Sequence, residues 1–412
     1  MSTPGARPLA LAERVDAVIV GAGASGLSLA GHLAHSGWRD RAVLVVDDGS
    51  RALDGRAWAY WSDTDDLLDT AVCASYDRFW VRTTDVAHLV TLNDYRYRVV
   101  RGRDLGRTVD AALAGAPGFR RVSGHVSQIR DGAREASVVV DGHTVRAQWV
   151  FDSVGLTVPP GPAPSAEMAL AFVGRRIETD RDTFEAGAPT LMDFRTHQGR
   201  GLCFVYVLPS SPRVALVEHT QFTAGSRDPA EPGEAALDAY LREVLRGGGH
   251  RVLSTEHGTI PLVTRRPCPP GRRVVPIGTP GGMVKPSTGY GYARIQRHSS
   301  EVARSLALHG HPFDVQTRPA RHRAFDGVLL DAIRREPAYV VDAFERLFVA
   351  NPGDCVLAFL DDATTIGQEI STILTLPPAP FLRALRRVAV RAVRLRLSRI
   401  GGPTARHSRE FR

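Results

Sequence analysis

A glycine-rich turn between a buried strand and a helix constrains the fold of this chain more than any other feature. The segment GAGASG (residues 21–26) follows the apolar run DAVIV (16–20) and leads into a helix-forming stretch that ends near Gly37. A second apolar run, AVLVVDD (42–48), comes next. This order predicts a βαβ unit with a parallel sheet and a right-handed crossover.

The same turn carries the GxGxxG pattern of dinucleotide-binding folds. Its three glycines allow a tight turn, give space for a pyrophosphate and permit close helix packing, while the helix N-terminus offers free N–H groups. An acidic residue at the end of the next strand can bind a ribose hydroxyl. These features predict a nucleotide site rather than a merely tight turn. Its residues are Gly21, Gly23, Ala24, Ser25, Gly26, Asp47 and Asp48.

Spacing in the first turn does not distinguish FAD from NAD, but two later segments favour a long cofactor. FDSVG (151–155) ends a predicted strand, and GTPGGMVKPSTGYGYARIQ (278–296) is a second glycine-rich turn that leads into a helix. Glycines there let the backbone approach a flavin ring, and the helix N-terminus can face its pyrimidine end. We therefore predict FAD and add to the cofactor site Arg56, Asp152, Gly278, Gly281, Gly282, Met283, Gly289 and Tyr290.

Composition excludes several classes of protein. The net charge is +8 and Lys285 is the only lysine, but the basic residues are not interleaved with aromatic ones, so we predict no nucleic-acid interface. The sequence contains no apolar stretch long enough to span a bilayer and no secretory signal pattern. The four cysteines lie far apart, which predicts free thiols, no metal site and a cytoplasmic protein.

The remaining chain alternates between strand-rich and helical segments. We predict helices near 103–114 and 233–246, strands within 119–151, 168–224, 258–264 and 274–278, and mostly helix after about residue 290. The Pro-rich segment PPGPAP (159–164) predicts a boundary between domains.

Several motifs together resemble a known family, the bacterial lycopene β-cyclases. The likeness runs from about residue 16 to about residue 382. It rests on GAGASGLSLA, GRAWAYW, FDSVG, LMDFR, FVYVLP, ALVEHTQF, GTIPL, GGMVKPSTGYGYARIQ, RLFVANPGD, FLDDATT and LPPAPFL, in this order.

The resemblance implies an α/β fold: a glutathione-reductase-type FAD-binding Rossmann domain, an antiparallel-sheet substrate domain and a helical C-terminal region. It further implies an isomerase that uses reduced FAD, with NAD(P)H as reductant, to convert the linear ψ-ends of lycopene to β-ionone rings without net redox change. The expected division is 1–75, 101–160 and 266–310 for the FAD domain, 76–100 and 161–265 for the substrate domain, and 311–400 for the helical region with its basic tail.

Ring closure requires an acid, and the resemblance assigns that role to Glu218. In VALVEHTQF, strand alternation places Leu216, Glu218 and Thr220 on one face, and a carboxyl group in an apolar pocket retains its proton near neutral pH. Without the resemblance, an exposed glutamate at a strand end would be the simpler interpretation. Asp193 is a second catalytic candidate that would tune Glu218 or the flavin; a salt bridge with Arg195 is the alternative.

A polyene tunnel and its cation need π-rich or charged neighbours. The substrate-site candidates are Trp58, Trp61, Phe204, Tyr206 and Lys285. The aromatic residues can instead be ordinary core, and Lys285 can be a solvated loop residue. His219 points to the opposite strand face from Glu218, which predicts a structural role.

The C-terminal segment FLRALRRVAVRAVRLRLSRI (381–400) predicts a basic amphipathic helix. Apolar residues recur at helical spacing at Leu382, Leu385, Ala389, Val393, Leu397 and Ile400. Such a helix can lie on the anionic inner face of the membrane, where a lipid-dissolved substrate resides, or can cap the core with its arginines in solvent.

Alternative functions follow from the same scaffold. A related cyclase would act on another prenyl or modified carotenoid chain, a hydroxylase or prenyl reductase would consume reductant, and a non-catalytic protein would only carry flavin or polyene.

Overall fold

The computed structural model describes residues 12–157, 168–199, 201–224, 230–243, 248–265 and 267–400. The Pro-rich boundary at 159–164 therefore lies outside the described residues. The elements in chain order are β1 (Arg14–Val20), α1 (Ala24–Ala34), β2 (Val43–Asp47), β3 (Ala57–Ser62), β4 (Val72–Tyr76), β5 (Arg78–Arg82), β6 (Ala87–Thr91), β7 (Arg96–Arg101), α2 (Gly102–Ala114), β8 (Phe119–Ser123), β9 (Val126–Arg130), β10 (Ala136–Val140), β11 (His143–Asp152), β12 (Met168–Thr179), β13 (Thr190–Asp193), β14 (Cys203–Pro209), β15 (Val214–Thr223), α3 (Ala230–Glu243), β16 (His250–Leu262), β17 (Val274–Pro276), α4 (Tyr292–His309), α5 (Ala320–Arg335), α6 (Pro337–Ala350), α7 (Gly353–Leu360), α8 (Ile366–Leu374) and α9 (Pro378–Ile400).

The first sheet contains the predicted βαβ unit. Strands β8, β2, β1 and β11 are parallel in that order, and β17 pairs in parallel with the C-terminal end of β11. β10 and β9 extend the sheet in antiparallel fashion. Residues Ala17–Val20 are at most 2% exposed, as expected for a strand covered on both faces. The buried run DAVIV thus becomes a central strand, and the predicted parallel pairing of β1 with β2 is confirmed.

The second sheet is mostly antiparallel, in the order β16-β12-β15-β14-β13-β5-β6, with β13 and β5 parallel. One face packs against α3 through an apolar cluster that includes Val173, Val205, Val217 and Leu237. The other face carries the alternate residues of the same strands, because successive side chains point to opposite sides of a sheet. That face belongs to the largest buried cluster of the described residues.

A small third sheet, in the order β3-β7-β4, connects the two larger units. Because successive side chains of β3 point to opposite faces, its aromatic residues pack in two different clusters. Tyr60 packs in the cluster of the first sheet, whereas Trp61 packs in the cluster of the second. The third sheet therefore contributes an aromatic side chain to each of the two clusters.

The C-terminal part is helical, as predicted from about residue 290. α2 and α3 occur close to the predicted positions, although residues 244–247 lie outside the described part. The predicted strand at 258–264 was too short, because the strand begins at His250. Among the described residues no helix is long and apolar enough to span a membrane, no acidic, His or Cys cluster has metal-site geometry, and the four cysteines are free.

Candidate active site

The first glycine-rich turn leaves the N-terminus of α1 accessible. Gly21 adopts φ +92°, and a Cβ on Gly26 would lie 1.8 Å from the Gly21 carbonyl oxygen, so both positions require glycine. A Cβ on Gly23 would meet no described atom within 4 Å. The first turn of α1, which begins at Ala24, has no acidic residue. The backbone thus approaches open space with free N–H groups, the arrangement that binds phosphates.

Asp47 braces this turn from the end of β2. Its Oδ2 accepts the Ala22 N–H at 2.6 Å, and its Oδ1 accepts the Gly49 N–H at 2.8 Å. Asp48 is exposed and accepts the Ser50 N–H at 2.9 Å. The pair therefore fixes the loop at the edge of the predicted nucleotide site.

The second glycine-rich turn lies against the first. Gly278 has φ +63°, and a Cβ there would be 2.1 Å from the Ser25 Oγ. The turn closes with Gly282 at φ +77° and with the Met283 N–H donating to the Gly278 carbonyl at 2.9 Å. A Cβ on Gly281 would be 2.6 Å from the Pro276 carbonyl oxygen. Two segments far apart in sequence thus form one glycine-lined surface.

Asp152 occupies a different position from the one expected of a direct cofactor ligand. Its carboxylate is fully buried and accepts the N–H groups of Val154, Gly155 and Thr157 as well as the Thr157 hydroxyl, at 2.7–3.1 Å. These bonds shape the loop that follows β11. A Cβ on Gly21 would contact Ser153 in that loop, so Asp152 stabilises a loop that packs against the first glycine-rich turn.

Glu218 lies on the aromatic face of the second sheet. It is opposite Tyr206 on β14 and Gly174 on β12, and the Thr220 hydroxyl donates to its Oε1 at 3.1 Å. The residue is partly exposed. Burial, reinforced by the carboxylate of Glu256, raises the pKa of Glu218 to about 8, although the Thr220 bond lowers it. Glu218 is therefore mostly protonated at neutral pH.

Four predicted aromatic residues gather beside this carboxyl group. The Tyr290 hydroxyl donates to the Tyr206 hydroxyl at 3.1 Å, the rings of Trp61 and Tyr290 are 4.4 Å apart, and Phe204 packs edge-on against Tyr206 at 5.0 Å. Burial raises the pKa of both tyrosines well above its ordinary value, so their hydroxyls stay neutral. Because Gly289 precedes Tyr290, the second glycine-rich segment reaches the sheet face that carries Glu218. A Cβ on Gly289 would be 2.6 Å from Leu170 on β12.

Two residues of this site were not predicted from the sequence. Tyr97 is fully buried; burial, and then the nearby Tyr206 and Glu218, raise its pKa, whereas a hydrogen bond with Tyr290 lowers it. Glu256, on β16, interacts electrostatically with Glu218, and burial raises its pKa to about 7 against the opposing Arg56 charge. Tyr97 lies on β7 of the third sheet, which no motif connected with Glu218. Arg56, which was predicted as a cofactor-site residue, is exposed and favours the ionised form of Glu256.

Asp193 requires a correction. It pairs in register with Val205, on the α3 side of the sheet, whereas Glu218 and Tyr206 face the other side. Its carboxylate binds Arg195 through two side-chain bonds of 2.9 and 2.7 Å and accepts the Tyr240 hydroxyl at 2.7 Å. The structure thus does not bring Asp193 to Glu218, and the salt-bridge alternative is the one it shows.

Lys285 and Trp58 make contacts that the sequence did not predict. Lys285 is only 5% exposed, and its Nζ contacts Asp362 at 2.6 Å and Asp326 at 3.1 Å. It ties the second glycine-rich segment to α5 and to the residues that follow α7, so it is not solvated. Lys285 also lines a small cavity together with Trp61 and Tyr290. Trp58 stacks on Tyr292 at 5.8 Å, on the opposite face of β3 from Trp61.

His219 takes the structural position that strand alternation predicts. It faces α3, it is 3% exposed, and burial lowers its pKa to about 4. The imidazole is therefore neutral at physiological pH and lies on the opposite face of the sheet from Glu218.

Comparison with known proteins identifies relatives for this arrangement. The family model described as "Lycopene cyclase protein" matches residues 16–386. A lycopene beta-cyclase from Paracoccus sp. is 25% identical and is aligned over 90% of this chain and 96% of its own length. The chloroplastic lycopene beta cyclase of Nicotiana tabacum is 26% identical over 71% of this chain, which spans 60% of that longer relative.

Solved structures with the same fold are flavoproteins of low sequence identity. A geranylgeranyl bacteriochlorophyll reductase-like protein from Thermoplasma acidophilum has a TM-score of 0.61 at 12% identity, covering 90% of this chain and 98% of that one. A flavin-dependent brominase has a TM-score of 0.57 at 13% identity, covering 92% and 100%. The predicted glutathione-reductase-type flavoprotein fold is confirmed by these likenesses and by the sheet topology.

Proposed function

The chain belongs to the lycopene cyclase protein family, and we propose that it is a lycopene β-cyclase that converts the ψ-ends of lycopene to β-ionone rings. The observation that carries the proposal is the position of Glu218. Its carboxyl group retains a proton at neutral pH and lies on a sheet face lined by Trp61, Phe204, Tyr206 and Tyr290. This combination provides an acid within an apolar, π-rich surface, which is what polyene cyclisation requires.

The reaction divides naturally among these side chains. Glu218 delivers its proton to a terminal alkene carbon, and the electrons of a second double bond then form the ring bond and leave a tertiary cation. The π faces of Trp61 and Tyr290 stabilise that cation, and a carboxylate removes the proton that restores the ring double bond. No electron is gained or lost, so the net change is an isomerisation.

We further propose FAD as the cofactor, in reduced form with NAD(P)H as the reductant. The residues present fit it: the turn 21–26 leaves the α1 N-terminus open to a pyrophosphate, and the turn 278–283 lies against it. Asp47, which braces the first turn from the end of β2, would lie toward the ribose. When bound, a reduced flavin would supply an electron-rich ring that stabilises positive charge. The flavin-dependent brominase with the same fold supports this choice.

We also propose that the protein docks on the inner face of the membrane. The stripe of Leu382, Leu385 and Val393 on α9 is 50–61% exposed, while Ala384 faces the core. On the neighbouring α8, Ile366, Ile370 and Leu374 are 54–78% exposed. Two arginines of α9 are held by acidic partners, as Arg383 pairs with Glu336 and Arg387 with Asp331. The side chains of 394–400, including Leu397 and Ile400, lie outside the described part.

Docking can be measured by sedimentation with vesicles that contain or lack anionic lipid. We expect binding to anionic vesicles, and a reduction of at least about tenfold for Ile370→Glu, since a charge on the apolar face opposes insertion. Glu345→Gln, remote from this stripe, is the control. Equal binding by the Ile370 variant and the parent would contradict this docking surface.

Expression in a lycopene-accumulating host tests the main proposal. We expect a pigment of unchanged mass with shorter-wavelength absorption, and unchanged lycopene with the Glu218→Gln variant. A product of altered mass with one reductant consumed per turnover would identify a hydroxylase or reductase instead. Unchanged lycopene with folded, flavin-loaded parent protein would favour the cyclisation of another prenyl chain, and equal function of the Gln variant would favour a carrier.

A further inference from the structure

A second carboxylate shares the catalytic face with Glu218. Gly174 on β12 is the register partner of Glu218 on one side and of Glu256 on the other. All three positions therefore point to the same face of the sheet. The backbones of the two glutamates are two strand spacings apart, about 10 Å.

Gly174 allows the two side chains to approach each other. It has no side chain, and a Cβ built there would lie 3.1 Å from the Glu256 Cγ, 3.3 Å from its Oε1 and 3.3 Å from the Leu216 Cδ1. The Glu256 carboxylate thus leans over Gly174 toward the strand that carries Glu218. A larger residue at this position would occupy the space through which the two carboxyl groups interact.

The groups around the pair differ on its two sides. Arg56 and the Ala57 N–H act on Glu256 and favour its ionised form. On the other side, Thr220 donates to Glu218, and the neutral hydroxyl of Tyr206 lies across β14. Arg176, two residues from Gly174 on the same face of β12, is the remaining charged neighbour in register.

We propose that Glu256 is a positioning residue for Glu218, and that the two carboxyl groups hold one proton between them, with Glu218 as the acid and Glu256 as the carboxylate. Two carboxylates on adjoining positions of the sheet repel each other, so ionisation of one glutamate raises the pKa of the other. The asymmetric surroundings decide which partner retains the proton. The pKa values of about 8 for Glu218 and about 7 for Glu256 agree with this order.

The catalytic role of the pair rests on the proposed function. Glu218 gives its proton to an alkene carbon, where a C–H bond forms while a second alkene closes the ring. The pair then carries two carboxylates, and one of them accepts the proton that leaves the ring cation as its C–H bond becomes the new double bond. The single proton returns to the pair, so neither atoms nor electrons are lost over a turnover.

Infrared titration of the purified holoprotein tests the pair without any substrate. The carbonyl band of a protonated carboxyl group is followed from pH 5 to pH 10, with Glu218→Gln used to assign the band. In Glu256→Gln the neutral amide removes the charge, so we expect the midpoint of the Glu218 band to fall by at least roughly one pH unit. A unit charge at the backbone separation of about 10 Å produces that shift at an effective dielectric of about 20, and a closer carboxylate produces more. Glu256→Asp retains the charge, so the midpoint of the Glu218 band should stay close to that of the parent.

A matched control and a second variant make the outcome decisive. Glu178→Gln changes a partly exposed glutamate of β12 that pairs with Arg251, and it should leave the midpoint unchanged. If Glu256→Gln does not fold, Arg56→Gln, at an exposed position, should raise the lower midpoint of the pair. An unshifted Glu218 midpoint in folded Glu256→Gln overturns the proposal, whereas failure of the parent to cyclise lycopene overturns only the function.

Discussion

The pH dependence of cyclisation follows directly from the environment of Glu218. With a pKa of about 8, the protonated form exceeds the ionised form about tenfold at pH 7, and the ratio is inverted at pH 9. A glutamate with an ordinary pKa would be protonated in only about one molecule in 300 to 500 at pH 7. We therefore expect kcat/KM to fall about tenfold between pH 7 and 9.

The assay is the initial rate of ring formation from lycopene dispersed in vesicles, with product separated by chromatography. The Thr220→Val variant makes the test more specific. It removes the 3.1 Å hydrogen bond that favours the Glu218 carboxylate, so the fall of kcat/KM, the descending limb of the pH profile, should move to higher pH by roughly half to one unit. Thr223→Val, on the same strand but bonded to a backbone carbonyl, is the control. A limb near pH 4–5, or an unmoved limb in Thr220→Val, would refute the assignment of Glu218 as the acid.

Three further predictions concern stability and cofactor binding. Because folding raises the pKa of Glu218, the parent should lose stability relative to Glu218→Gln as the pH rises from about 4.5 to about 8. The expected loss is about 3 kcal/mol after allowance for partial exposure. Urea unfolding at several pH values measures the difference in unfolding free energy between the two proteins, and a difference that does not change with pH contradicts the prediction. Gly26→Ala should abolish flavin absorbance in purified protein because its Cβ would overlap the Gly21 carbonyl, whereas Gly23→Ala should fold and lose less flavin; equal losses would oppose the geometry. Asp193→Asn should lower the free energy of unfolding by about 2–3 kcal/mol by breaking its ion pair, with no movement of the pH limb; a moved limb would restore Asp193 to the catalytic site.

Local patterns in the sequence were sufficient for the first sheet. DAVIV, the glycine turn and the terminal Asp47 lie within about thirty residues, and each has a steric or electrostatic reason that depends little on distant contacts. The length of β16 was harder to predict, because its first residues, from His250, are exposed and do not alternate between apolar and polar side chains. Apolar alternation becomes visible only near Ile260.

Strand alternation and the family motifs located Glu218, but partners remote in sequence remained hidden. Glu256 reaches the site through the register of β12 with both neighbours, which no local pattern specifies. Lys285 was predicted as a substrate-site or solvated residue, and its acidic partners were not foreseen, because Asp326 and Asp362 lie on C-terminal segments whose position depends on tertiary packing. Asp193 was placed on the catalytic side, although its register with Val205 assigns it to the other face.

Solvent isotope incorporation tests the central claim most directly. The purified, reduced holoprotein is given lycopene in D2O, and the mass of the cyclised product is measured. Protonation by a solvent-exchangeable carboxyl group predicts one deuterium on carbon for each ring formed. The initial rate of this incorporation should fall to zero in Glu218→Gln. A cyclised product without deuterium, or undiminished incorporation in the Gln variant, would contradict Glu218 as the proton donor.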